Sequence, residues 1–154
     1  MAKITEIMLP VKFTASEHAT VSEVIRQLAD GHIGWIPIVD DDKKLLAYIT
    51  DGDIVRYIAY KKPRFFDYGE IIAIDVDDQP LEEKIKTLLD TPVMQIANKK
   101  RNIFAEIDQE IDEVADIFRR ERVRLVAVLD KGRVVGVVRE ADIVRHILVT
   151  LLPD

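Results

Sequence analysis

Thr50-Asp51-Gly52-Asp53-Ile54-Val55-Arg56 is echoed by Arg139-Glu140-Ala141-Asp142-Ile143-Val144-Arg145, so that an Asp-Ile-Val-Arg core recurs with Asp142 placed 89 residues after Asp53. Upstream of each, Ile36-Pro37-Ile38-Val39-Asp40 is matched by Val126-Ala127-Val128-Leu129-Asp130 at an offset of 90. The one-residue slip falls between the two matches, in Asp41-Asp42-Lys43-Lys44 against Lys131-Gly132-Arg133. This is a polar turn, where a change of length is tolerated. Farther back, Val21, Val24, Ile25 and Leu28 pair with Ile111, Val114, Ala115 and Phe118, again at an offset of 90. Both sets follow i, i+3, i+4, i+7, the apolar stripe of an amphipathic helix. A repeat on this scale decides the architecture before any single element is considered.

Each copy predicts the same order of elements: a short strand near Phe13 or Ile103, a helix, two strands joined by a tight turn, and a second helix. The paired strands are Trp35 to Asp40 with Leu45 to Ile49, and Leu125 to Asp130 with Val134 to Val138. Their β-branched content and short polar turns predict hairpins. Thr20 followed by Glu23 predicts a capping box at the start of the first helix, whereas Glu110 takes the place of the threonine in the second copy. Between the copies, Pro63 stops any continuing helix, so Lys61 to Gly69 reads as a connector. Pro80 to Asp90 reads as a short helix opened by proline. The expected organisation is a first unit over residues 1–61, a connector with a short helix over 62–92, and a second unit over 93–154. Neither copy buries its faces alone, so the two are expected to pack as one body.

Composition excludes several functions. At 154 residues with 48% apolar content, the chain has enough material for a real core. It contains no run of about 18 apolar residues and no signal-peptide pattern, which points to a soluble, cytoplasmic protein with no membrane partner. The absence of cysteine removes disulfides, thiol nucleophiles and thiolate metal sites. A net charge of −6 argues against a nucleic-acid binder, which needs clustered Lys and Arg. Lys99-Lys100-Arg101 and Arg119-Arg120-Glu121-Arg122-Val123-Arg124 nevertheless make the second half locally basic, suited to a small anion or simply a solvated face. Asp40-Asp41-Asp42 is read as a solvated turn rather than a cation site. His18, His32 and His146 are dispersed and lack partners at catalytic spacing, so no catalytic residue and no metal ligand is assigned. Trp35 reads as core or dimer interface.

Ile7-Met8, Ile36-Pro37-Ile38-Val39-Asp40 and Leu45-Leu46-Ala47-Tyr48-Ile49-Thr50-Asp51-Gly52-Asp53-Ile54, repeated with Val134-Val135-Gly136-Val137-Val138 before Arg139, resemble the CBS-domain pattern. That pattern has an Ile-Met lead-in, a Pro-Val-Val-Asp-like strand and a Gly-x-x-Thr-x-x-Asp strand-to-helix junction. The resemblance implies an α/β (α+β) fold of tandem CBS domains, two β-α-β-β-α repeats packed sheet to sheet around a pseudo-two-fold axis. It also implies two clefts that bind adenosine-containing ligands, a regulatory role, and association into a homodimeric disc of four CBS domains. Such pairs are attached to enzymes, channels or transporters, or stand alone, as expected of this one. The chain departs from the pattern in four places: Ala47 replaces Gly, Ala97 replaces Met, Ala127 replaces Pro, and Arg139 replaces the Ser or Thr of the ligand motif.

The chemistry of a nucleoside suits the junction, where a carboxylate accepts both ribose hydroxyls while a hydroxyl and free helix amides meet phosphate. The resemblance therefore places one ligand against Thr50 and Asp53 with Ile103 and Val123 at the adenine, and Arg124 reaching its phosphate. A second would lie against Asp142 with Phe13 and Ile33, where Arg139 either pairs a phosphate or fills the cleft. Thr-x-x-Asp is equally a helix N-cap that needs no ligand. Asp142 persists where Arg139 offers no hydroxyl cap, which favours a ligand role for the carboxylate. The first site is expected to be intact and the second altered.

The expected function is a sensor of an adenine nucleotide (AMP, ADP or ATP) or an adenosyl compound resembling S-adenosylmethionine, with no required cofactor and with an unidentified regulated protein as partner. The alternative is a ligand-free module that dimerises or docks on a partner. A hydrolase using Asp53 and Asp142 lacks a nucleophile, a metal cluster and a base.

Overall fold

The structure, a computed structural model, describes residues 2–10, 14–31, 34–59, 62–67, 71–76, 79–99 and 103–152. The first repeat supplies β1 (Leu9–Pro10), β2 (Ala15–Ser16), α1 (Val21–Gly31), β3 (Trp35–Val39), β4 (Leu45–Thr50) and α2 (Asp51–Ala59). The intervening segment supplies β5 (Lys62–Asp67), β6 (Ile71–Val76) and α3 (Leu81–Leu89). The second repeat supplies β7 (Phe104–Glu106), α4 (Ile111–Glu121), β8 (Leu125–Asp130), β9 (Arg133–Arg139) and α5 (Glu140–Leu151). This is the tandem α/β arrangement that the sequence predicts.

In each repeat a short parallel strand, β2 or β7, lies beside the first strand of a hairpin, giving β2-β3-β4 and β7-β8-β9. The hairpins differ at their turns. Lys131 and Gly132 are both left-handed (φ 51° and 82°), as a two-residue hairpin loop requires. The first repeat spends one more residue, with Lys43 left-handed at φ 66°. Asp40 Oδ1 there accepts from the backbone N–H of Asp42 and of Lys44, both at 2.9 Å. The one-residue slip in the repeat is this difference in turn chemistry.

The segments that precede the two sheets change places. β1 pairs antiparallel with β9 of the other repeat, Leu9 opposite Val137. Asn98, in the lead-in of the second repeat, bridges Tyr48 in β4 of the first, with both N···O distances at 2.8 Å. The helix starts follow the same exchange: Val21 N–H donates to the Thr91 carbonyl and Ile111 N–H to the Ala2 carbonyl, at 2.9 and 3.1 Å. This corrects the expected Thr20–Glu23 capping box. Neither side chain forms it among the described residues, where Thr20 instead bridges Pro92 through its backbone. Gly136 is required by the same crossing, since a Cβ there would stand 2.8 Å from the Leu9 carbonyl oxygen.

Packing follows from the exchange. Ile4 lies in the core of the second repeat with Val114, Phe118, Val126 and Val138. Val93 lies in the core of the first with Val24, Ile36, Ile38 and Ile49. A third cluster joins the two sheets, with Val39, Leu45 and Tyr48 against Leu125, Ala127, Leu129, Val134 and Val137. Inside it the Tyr48 hydroxyl donates to the Ile103 carbonyl at 2.6 Å and accepts from Ala127 N–H at 3.0 Å.

The connector after α2 carries strands of its own: β5 and β6 pair antiparallel in continuous register from Lys62 opposite Val76 to Asp67 opposite Ile71. The helix predicted after Pro80 is α3, with Pro80 as its N-cap.

Burial pushes the Tyr48 phenol well above the ordinary tyrosine value of 10.0, opposed by the hydrogen bond from Ala127. The folded state thus favours the neutral phenol, so its contribution is full below pH about 10 and declines as the pH rises above it. Tyr48→Phe, which leaves the Ala127 N–H and Ile103 carbonyl unpaired, should lower the unfolding free energy by about 1–3 kcal/mol at neutral pH. It should also flatten the alkaline decline. Urea unfolding of both proteins across pH 7 to about 11 checks both outcomes.

Candidate functional site

The strand-to-helix junctions of both repeats open onto one cleft of about 980 Å³. Thr50, Asp51 and Gly52 line it from the first repeat, and Arg139, Glu140 and Ala141 from the second. The starts of β3 and β8 complete the walls with Gly34 and Trp35 facing Arg124 and Leu125, and Arg56 and Asn98 stand at its edges. The two halves are built alike. Asp51 N–H donates to the Gly34 carbonyl and Glu140 N–H to the Arg124 carbonyl, at 3.1 and 3.2 Å. These first amides of α2 and α5 are thus partnered by backbone, and the N-terminal ends of both helix dipoles still lie at this one cleft.

The junction carboxylates are held from behind. Asp53 Oδ2 accepts from the Thr50 N–H at 2.9 Å and the Thr50 hydroxyl at 3.0 Å, while Asp53 N–H donates to Thr50 Oγ1 at 3.1 Å. That is a reciprocal cap. Arg56, one turn along α2, pairs with Asp53 Oδ1. At the second junction Asp142 Oδ2 accepts from Arg139 N–H at 2.9 Å and Arg139 Nε at 3.1 Å, and Oδ1 accepts from Nη2 at 2.7 Å. The hydrogen bond that Arg139 donates to Asp142 holds its guanidinium above its ordinary value. Asp142 thus caps α5 without a hydroxyl partner, so its persistence beside Arg139 has a structural cause as well as a chemical one.

Of the residues singled out in the sequence, the structure brings Thr50, Arg124 and Arg139 together on the cleft, with Asp53 and Asp142 directly behind two of them. Ile103 and Val123 are buried in the core of the second repeat and line no part of the cleft. Phe13 and Ile33 lie outside the described residues. Arg124 is exposed and has no ion-pair partner among the described residues, in contrast to Arg56 and Arg139. Trp35, expected as core or interface, packs edge-on against Tyr48 with ring centroids 6.1 Å apart and also forms cleft wall. Its buried indole N–H has no hydrogen-bond partner among the described residues.

Sequence reasoning missed Gly34, Asp51, Arg56, Asn98 and Glu140. The repeat carried the signal for Gly34, which stands 90 residues before Arg124, and for Arg56, which closes the shared Asp-Ile-Val-Arg core. Gly34 is also a packing requirement, because a Cβ there would fall 2.6 Å from Asp51 Oδ2. Among the described residues no group of three or more His, Cys, Asp or Glu could hold a metal ion. No helix among them is long and apolar enough to cross a membrane.

A family model for the CBS domain matches residues 4–60 and again 90–149. Hypoxic response protein 1 of Mycobacterium tuberculosis is 26% identical over 149 residues, covering 96% of this chain and 86% of that one. The CBS domain protein PAE2072 from Pyrobaculum aerophilum, solved in complex with AMP, is 26% identical, with a TM-score of 0.64 over 91% of this chain and 88% of that one. The CBS domain pair of protein MJ0100, solved with 5-methylthioadenosine and S-adenosyl-L-methionine, is 25% identical, with a TM-score of 0.65 over 94% of each chain.

Removing the Asp142 carboxylate uncaps α5 and leaves the Arg139 guanidinium without its partner. Asp142→Ala is expected to cost about 1–3 kcal/mol of unfolding free energy, and Asp51→Ala, at an exposed position, less than about 0.5 kcal/mol. Denaturant titration of the two variants checks the difference.

Proposed function

The chain belongs to the CBS-domain family, and from that premise we propose that it is a regulatory sensor of an adenosine-containing ligand, AMP, ADP, ATP or an S-adenosylmethionine-like compound, bound in the cleft between its repeats. The observation that carries this reading is the cleft itself, which is lined by Thr50, by the starts of α2 and α5, and by Arg124, whose guanidinium has no ion-pair partner among the described residues. Such a surface suits an anion attached to a hydroxyl-bearing sugar. The solved relatives bound to AMP and to S-adenosyl-L-methionine support the same ligand class.

In this proposal Asp53 accepts the ribose hydroxyls, Thr50 and the α2 amides orient the sugar and phosphate, and Arg124 neutralises the phosphate. Ile103 and Val123, buried in the core of the second repeat, are given no contact with the adenine in this proposal. The corresponding second set is Asp142 and Arg139 with Phe13 and Ile33, in which Arg139 already pairs the carboxylate that a ligand would use. Residues 1–61 and 93–154 act as the two CBS domains, with 62–92 as connector. The protein acts in the cytoplasm as a regulator rather than a catalyst. Binding alters its output only through unequal affinity for alternative arrangements of the repeats, read by a regulated partner protein.

A homodimer is part of the same proposal. Val144, Ile147, Leu148 and Leu151 form an exposed apolar stripe along α5, and Val55 is exposed on α2. Faces of this kind are uncommon on monomers and suit a self-complementary contact.

One observation favours the ligand-free alternative: both junction carboxylates are already hydrogen-bonded without a nucleoside. Thermal unfolding against AMP, ADP, ATP, S-adenosylmethionine and 5-methylthioadenosine separates the two. A true ligand at 100 times its dissociation constant should stabilise the fold by about 2.7 kcal/mol, and Asp53→Ala should weaken it more than Asp51→Ala. No shift with any compound would reject the sensor and leave the docking module. Leu148→Glu is expected to halve the mass seen by sedimentation equilibrium; a monomeric parent protein would reject the dimer.

A further inference from the structure

The two junction carboxylates are occupied by arginines that come from opposite directions. Asp53 meets Arg56, which follows it on α2 and contributes a single nitrogen, Nη2, to Oδ1. The Arg56 side chain is 71% exposed. Asp142 meets Arg139, which precedes α5 and grips the carboxylate three times, with its backbone N–H and Nε on Oδ2 and Nη2 on Oδ1. The Arg139 side chain is 30% exposed, less than half the value for Arg56.

A vicinal diol binds a carboxylate by donating to both of its oxygens. At Asp53, Oδ1 is freed when Arg56 turns out into water, where its charge stays hydrated. The capping contacts of Thr50 occupy both acceptor sites of Oδ2, and one is released when the rotatable Thr50 hydroxyl turns its proton toward the ligand. At Asp142 the planar fork of Arg139 lies across both oxygens in the bidentate geometry that guanidinium and carboxylate share. Freeing them would break two charge-assisted bonds and strip a half-buried cation of its partner. The same residue also sits at the N-cap of α5, so its backbone fixes the fork in place.

We infer that Arg139 is a built-in occupant of the second nucleoside position, satisfying Asp142 as a diol would, and that it restricts each chain to one adenosyl ligand held at Asp53. This inference rests on the reading that the junction carboxylates receive ribose. It makes residue 139 the determinant of stoichiometry. The first repeat shows what releases the block, because Thr50 caps the same kind of helix start with a hydroxyl and no fork.

The test is calorimetric titration of the full chain with AMP and, separately, with S-adenosylmethionine. The parent protein should take up one equivalent per chain. Arg139→Thr, which copies the first junction, should take up two, and Asp142→Asn added to it should return the value to one. Arg139→Gln, which keeps the side chain's bulk but loses the fork, should also gain the second equivalent and serves if the threonine variant fails to fold. Two equivalents in the parent, or one in folded Arg139→Thr and Arg139→Gln alike, would overturn the inference while leaving the site reading intact. Uptake of neither compound by any of these proteins would overturn both.

Discussion

The Tyr48 hydroxyl ties the two halves of the molecule together. It stands on β4 of the first repeat yet takes both of its hydrogen bonds from the backbone of the second, at Ile103 and Ala127. A phenol that is almost fully buried has no water to fall back on, so these two bonds are obligatory rather than decorative. They fix the sheets against one another at the point where the shared apolar cluster is thickest. Trp35 packs on Tyr48 and also forms cleft wall, so one ring contact separates that hydroxyl's residue from the candidate site.

Within the cleft, one piece of backbone geometry serves two ends. A strand that turns into a helix needs a cap for its first amides, and a small residue or hydroxyl followed by a carboxylate provides it. The same turn leaves polar groups facing outward at the mouth. Thr50 and Asp53 keep both functions available, since the hydroxyl reciprocates the cap and also lines the cleft. Arg139 and Asp142 reach the same backbone conformation by an ion pair. The two junctions are therefore alike in fold and unlike in surface chemistry, a division that a repeated sequence permits once each copy mutates separately.

The spacing of apolar positions made the fold legible, because helices and hairpins in both copies depend on local periodicity that duplication displays twice. The exchange of lead-in segments was not legible. Pairing of Leu9 with Val137 and of Asn98 with Tyr48 depends on contacts between residues far apart in the chain, and two-residue strands leave no periodic signature. The β5–β6 hairpin was hidden by Pro63, which reads as a breaker although it is accommodated opposite Asp75. Thr20 reads as a cap because local sequence cannot reveal that its backbone bridges Pro92, far along the chain. At the site, the junction residues and Arg124 were visible from the motif and the repeat. The role of Trp35 and the placement of Ile103 and Val123 in the core required the packed sheets.

The crossing of the lead-in segments also bears on how the chain can be made. Emerging from the ribosome, the first repeat reaches Ala59 without the Val93 side chain that fills its core or the Asn98 edge that pairs with Tyr48. Its own lead-in, carrying Ile4, must wait for a sheet that is completed only at β9. Neither half closes on its own segments, so the nascent chain holds unpaired strand edges and apolar surface until β9 has emerged.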